Sequence, residues 1–186
     1  MRNVGDIIDV FKSAALLQFR MLQSRRRLDE KYAADLESTF RAVGACVDGS
    51  IYLNGNKQLA AAVVVVTSDE GFLGELNTLL VNRAMDMKRR FSKVELIVLG
   101  ERGGRYLQDV GERFVLFKGV SDEMRYAEAQ SLGSYLMKNF GRLFGSVQVI
   151  YPEFVSLTMQ RVQEVELLPY RVGDNAKKEF RGRVFV

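Results

Sequence analysis

Thr67, Ser68, Asp69 and Glu70, with Gly71 and Gly74 close behind, are the residues whose types and spacing come nearest to a site. They follow four consecutive valines, Val63 to Val66, the pattern of a strand buried on both faces. Leu76, Leu79, Leu80 and Met87 then recur at helical spacing. A hydroxyl and carboxylate turn between a strand and a helix can do two things. Its side-chain oxygens can cap the free amides of the following helix, or its backbone can cradle a phosphate at the helix N-terminus. Charge favours the cap. Asp69, Glu70 and Glu75 would meet an incoming anion with like charge, and the turn has neither the Lys and Ser/Thr of a Walker loop nor a GxGxxG spacing. A second glycine turn, GERGGR at 100–105, also follows a strand, but its spacing matches no phosphate motif.

Other chemistries lack their residues. The chain has no histidine, which removes Ser-His-Asp and Cys-His catalysis and every histidine-containing metal site. Cys46 is the sole cysteine, so no internal disulfide and no zinc or iron–sulfur site can be built from thiolates. Glu164 and Glu166 alternate along an expected strand, as solvated edge residues also do. No cofactor is expected, and an enzyme is disfavoured.

The elements that must position the turn are legible from apolar runs. Val63 to Val66, Lys93 to Gly100, Arg113 to Lys118 and Val147 to Tyr151 read as strands, and Val155 to Leu168 as a further strand pairing with the last of these. A short helix or turn is expected over Glu101 to Gly111. A longer helix is expected over Asp122 to Phe144, with Met124, Ala127, Leu132, Leu136, Met137 and Phe140 on its apolar side. Strands alternating with helices imply an α/β fold, a mostly parallel Rossmann-like sheet flanked by helices.

Ahead of this domain, Asp6 to Val43 contains no Gly and no Pro. Ile7, Phe11, Ala14, Leu17, Met21, Leu28, Tyr32, Leu36, Phe40 and Val43 recur at spacings of three, four or seven, giving a long amphipathic helix with a coiled-coil-type stripe. At 1.5 Å per residue it would run roughly 57 Å, longer than a compact domain of this size is wide. Arg25, Arg26 and Arg27 on it are open to two readings, a solvated face beside Asp29 and Glu30 or a partner contact.

The 186 residues allow one domain with an extension, and 47% hydrophobic residues suffice for a sizeable core. A net charge of +4 is too mild to argue for nucleic acid. The longest apolar run, Leu59 to Val66, is far short of the roughly 20 residues that span a bilayer. Asp6 and Asp9 interrupt any signal-peptide pattern. The expectation is a soluble protein that touches membranes only through partners.

The wording of two segments is more specific than this physics. VVVVTSDEGFLGELN at 63–77 resembles the strand–turn–helix of the gamma subunit of F-type ATP synthases, roughly T-S-D-R-G-L-C-G-G-L-N in the family. Thr67, Ser68, Asp69, Gly71, Gly74, Leu76 and Asn77 match it, whereas Glu70, Phe72, Leu73 and Glu75 depart. VQVIYPEFVSLTMQRVQEVELLP at 147–169 is similar to a second family segment through Tyr151, Phe154, Ser156, Gln160, Leu167, Leu168 and Pro169, with Val162 near a place where the family often has proline. Met21, Leu22, Ser24 and Arg25 to Arg27 look similar to the family's Met-rich turn and basic stretch.

The resemblance implies a non-catalytic central-stalk subunit, a rotor that couples ion flow to ATP synthesis or hydrolysis in the alpha/beta ring. It implies alpha, beta and epsilon subunits and a membrane c-ring as partners, without nucleic acid. It also implies a peripheral complex on the cytoplasmic face of a bacterial inner membrane. The residues it assigns to partner binding are Leu17, Met21, Arg25, Arg26, Arg27, Leu28, Tyr32 and Leu36. Four segments are expected: a shaft helix over 1–45, a connection over 46–59, the α/β domain over 60–170 and a short tail over 171–186. The family continues after Leu-Leu-Pro into a long C-terminal helix. Tyr170 to Val186, broken by Gly173 and Gly182, is too short to supply it. A fragment, or a gamma-like protein lacking half the shaft, is expected. An autonomous α/β enzyme or small-ligand binder, with its site at the carboxyl ends of the strands, is the alternative.

Overall fold

A computed structural model describes residues 9–10, 12–14, 16–17, 19–21, 31–32, 34–36, 38–39, 49–70, 75–119, 125–156 and 159–171. The chain divides into two units, Met1–Asp48 and Gly49–Val186. In the first, the described residues between 9 and 39 are helical.

The second unit runs α1 (Ile51–Asn54), β1 (Ala60–Val66), α2 (Leu76–Arg90), β2 (Val94–Leu99), α3 (Glu101–Asp109), β3 (Phe114–Phe117), α4 (Arg125–Asn139), β4 (Phe144–Ser156) and β5 (Met159–Leu168). The five strands form one sheet in the order β3-β2-β1-β4-β5. The pairs β1/β2, β2/β3 and β1/β4 are parallel, and β4/β5 is an antiparallel hairpin. The mostly parallel, helix-flanked sheet is therefore as expected. The described residues do not show the coiled-coil character expected of the N-terminal segment.

Strand β1 is buried from Ala61 to Val65 because helices cover both faces. Val63 and Val65 join Leu76, Leu80, Ala84 and Met87 of α2, Leu107 of α3, and Leu96 and Val98. Ala62 and Val64 point the other way, into Leu136 of α4, Phe140 just after it, Phe144, Val147 and Ile97. Each fully buried Leu, Ile or Phe contributes roughly 1.5–3 kcal/mol. Two continuous apolar layers therefore hold the sheet in place.

Helix α2 carries its buried residues three or four apart, while Leu79, assigned to the same stripe, is exposed. Lys88, Arg89 and Arg90 close its last turn, where cations complement the exposed carbonyls. Helix α4 ends earlier than the apolar pattern suggests. It stops at Asn139, Phe140 and Phe144 form a bridge, and Phe144 opens β4 instead of closing the helix. Of its expected core face, Leu136 and Phe140 are buried and Leu132 half-buried, but Met137 and Ala127 are exposed. Met124 lies outside the described residues.

Candidate functional site

Because β1, β2 and β3 are parallel, their carboxyl ends lie on one rim, where a ligand would be expected in an open α/β sheet. The residues there are tied to one another. Thr67 Oγ1 donates to Leu99 O at 2.7 Å and accepts from Gly103 N at 3.1 Å. Asp69 Oδ1 accepts from Glu101 N at 2.9 Å and from Gly119 N at 3.0 Å. Ser68 N donates to Asn77 Oδ1 at 3.2 Å, Asn77 Nδ2 donates to Ser68 Oγ at 2.9 Å, and Arg102 N donates to Ser68 O at 3.1 Å. Thr67 and Asn77 are buried polar residues whose hydrogen bonds compensate for lost water.

The capping expectation is corrected in one respect. The Thr67 hydroxyl and the Asp69 carboxylate serve α3, some 32 to 36 residues away, while Ser68 bonds the Asn77 side chain of α2 and caps no α2 amide among the described residues. Glu75, at the start of α2, makes no side-chain cap bond. Asp69 puts a carboxylate on the first amide of α3, where a phosphate would otherwise sit. The site residue in this turn is thus a built-in anion.

The glycines of GERGGR have a matching reason. Gly100 turns the chain at φ 97°, and a Cβ there would lie 2.4 Å from Thr67 O. A Cβ on Gly103 would lie 2.5 Å from Thr67 Oγ1 and 2.9 Å from Val98 Cγ1. These glycines let α3 approach the end of β1, which explains the spacing without a phosphate. Strand β4 adds a further reason. Its pairing with β1 ends at Val65↔Ile150, yet β4 runs on to Ser156 in the hairpin with β5. The switch point between β1 and β4 is therefore not flanked by two strand ends.

Three carboxylates of the β4/β5 hairpin are in ion pairs. Glu164 takes a two-point bond from Arg83, both contacts 2.9 Å, and Glu166 pairs with Arg171 at 3.0 Å. Glu153 pairs with Arg161 and accepts from the buried Gln163 at 2.7 Å. No group of His, Cys, Asp or Glu among the described residues could hold a metal ion. Tyr135 has a pKa raised above the usual phenol range, first by burial and then by Glu95, with Arg142 opposing.

Of the residues assigned to partner binding, Leu17, Met21, Tyr32 and Leu36 are helical and exposed, at 61, 56, 67 and 41%. Arg25, Arg26, Arg27 and Leu28 lie outside the described residues, as do Gly71 and Gly74 of the turn. Among the described residues no helix is long and apolar enough to cross a membrane.

A family model described as ATP synthase matches residues 1–184. The chain belongs to the ATP synthase family. Among similar proteins is an ATP synthase gamma chain of Rubrobacter xylanophilus, 26% identical over 176 residues, covering 91% of this chain and 60% of that protein. A gamma chain of Clostridium botulinum strain Langeland is 25% identical over 190 residues, covering 97% of this chain and 67% of that one. A chain in the central stalk and c-ring structure of the Tetrahymena thermophila mitochondrial ATP synthase shares the fold. Its TM-score is 0.51 at 19% identity, covering 75% of this chain and 66% of that chain. The chain thus spans about 60 to 67% of the length of these relatives.

Proposed function

We propose that this chain is a non-catalytic central-stalk component of a rotary F-type ATP synthase. Its α/β unit is the folded body of the rotor. The N-terminal helical segment, through Leu17, Met21, Tyr32, Leu36 and the basic run Arg25 to Arg27, is its contact with alpha and beta subunits. The epsilon subunit and the c-ring are its other partners, at the cytoplasmic face of a bacterial inner membrane. The family match through residues 1–184 carries this reading, since it runs through both units. The carboxyl rim supports it: Asp69 fills the anion position at α3, so the fold spends its usual ligand-binding end on its own side chain.

One observation favours a second reading, a small-anion binder. Arg102 Nε is buried without a hydrogen-bond partner among the described residues, and Arg102 stands in the first turn of α3. Co-expression with tagged alpha and beta subunits, beside calorimetric titration with ATP, ADP and phosphate, separates the two. The rotor reading expects co-purification and no micromolar nucleotide binding. Tight nucleotide binding by a chain that leaves the alpha and beta subunits alone would overturn it.

A further inference from the structure

Strands β1 to β4 run parallel, so their amino ends share the rim opposite Asp69. The segments entering these strands carry most of the unit's unpaired cations. Lys57 precedes β1, Arg90 and Lys93 lead into β2, Arg113 leads into β3, and Lys138 ends the helix before β4. All five are exposed, and none forms an ion pair among the described residues. Lys88 and Arg89, in contrast, are paired with Glu112 and Asp86. Exposed apolar side chains sit between these cations: Phe91, Val110 and Leu143. On the same rim Asp109, at the end of α3, is an exposed carboxylate, so the five cations outnumber it. At the other rim Asp69, Glu70, Glu75 and Glu101 are exposed, with Arg105 paired to Glu101 and Lys118 nearby.

We propose that the amino rim of the sheet is a docking face for an anionic bilayer surface, with phospholipid headgroups as the ligand. Three observations select this partner. The cations are spread over four separate strand entries, forming a broad face and not a pocket, as suits many headgroups and not one phosphate. Phe91, flanked by Arg90 and Lys93, and Leu143, beside Arg142, place apolar side chains at the level of the charges, where an interface offers them a partly apolar medium. The acidic opposite rim is repelled by the same surface, so the charge separation sets one orientation, with the sheet's strands upright and the amino ends down. The cations also complement the carboxyl ends of α2 and α4, but this does not account for Lys57, Lys93 and Arg113, which lie outside helices.

The inference is compatible with a peripheral membrane complex but is tested on the chain alone, so the rotor reading can fail while this one holds. The full chain is floated with phosphatidylcholine vesicles, with and without phosphatidylglycerol, over a range of salt. Binding is expected only with phosphatidylglycerol and is lost as salt rises. Lys93→Glu with Arg113→Glu is expected to lower partitioning roughly tenfold or more. Arg105→Glu with Lys118→Glu, the same charge change toward the acidic rim, is expected to leave most binding in place. Lys93→Gln with Arg113→Gln serves as the milder pair, and far-UV circular dichroism checks that every variant is folded. Equal loss from both reversals would assign the binding to net charge or to the N-terminal segment and overturn the proposal. So would absence of vesicle binding, including the case in which the rim binds an acidic protein surface instead.

Discussion

At the carboxyl ends of β1 to β3, Ser68 uses its amide, carbonyl and hydroxyl in bonds to Asn77 and Arg102, and Asp69 ties α3 to the chain beyond β3. At the amino ends, Lys57, Arg90, Lys93 and Arg113 stand exposed without ion-pair partners among the described residues. The same sheet therefore ends in a closed rim and an open one. In many α/β sheets the carboxyl rim is left free for a ligand. Here the hydrogen bonds of Thr67, Ser68 and Asp69 are made internally, with Arg102 Nε the buried group left without a partner among the described residues. The amino rim keeps its charge available to solvent or a partner. Changes at the closed rim should cost folding free energy, and changes at the open rim should cost interactions and little else.

The largest effect is expected from Gly103→Val. Its branched side chain would enter space held by Thr67 and Val98. Overpacking against a buried strand end should destabilise the unit by about 3 kcal/mol, read as a lower urea midpoint. A loss under about 0.5 kcal/mol, the ordinary surface value, would mean that α3 is not pressed onto β1. Thr67→Val keeps the shape and removes the hydroxyl that serves Leu99 O and Gly103 N. About 2 kcal/mol is expected, because Gly103 N is left buried and unpaired.

Asp69→Ala removes the charge from the start of α3 and two amide bonds, at an exposed position, so about 1 kcal/mol is expected in urea melts. Acetate or phosphate added to this variant should restore part of the loss, since the vacated amides are an anion site. Stability that is unmoved by the substitution would mean that Asp69 does not hold this rim together.

Tyr135 makes stability depend on alkaline pH. Its folded pKa is raised above the usual phenol value by burial and then by Glu95. Its contribution is fully present below the unfolded value of about 10 and is lost as pH rises through the folded pKa. Thermal melts above about pH 10 should fall less steeply for Tyr135→Phe than for the parent chain. The smallest effect is expected from Lys93→Gln, within about 0.5 kcal/mol in the same melts. A larger loss there would mean that the amino rim is also structural.

The chain's linear order determined much of this protein. Runs such as Val63 to Val66 and Val147 to Ile150 can satisfy both apolar faces only between helix layers, so they had to be central strands. The resemblance at 63–77 and 147–169 pointed to the family whose model spans residues 1–184. Short-range pattern also explained why Asp69 and Glu70 disfavour a phosphate. Only the tertiary structure decided that Thr67 and Asp69 serve α3. A hydroxyl and a carboxylate look the same in sequence whether their amides lie three residues ahead or 32 and 50 away. Packing depth is likewise set by neighbours. It left Met137 and Ala127 exposed on a helix whose spacing suggested a core face, because that helix meets the sheet through Leu132, Tyr135 and Leu136. Parallel pairing, a property of the whole sheet, gathered cations from four separate strand entries onto one rim and the acidic turn onto the other.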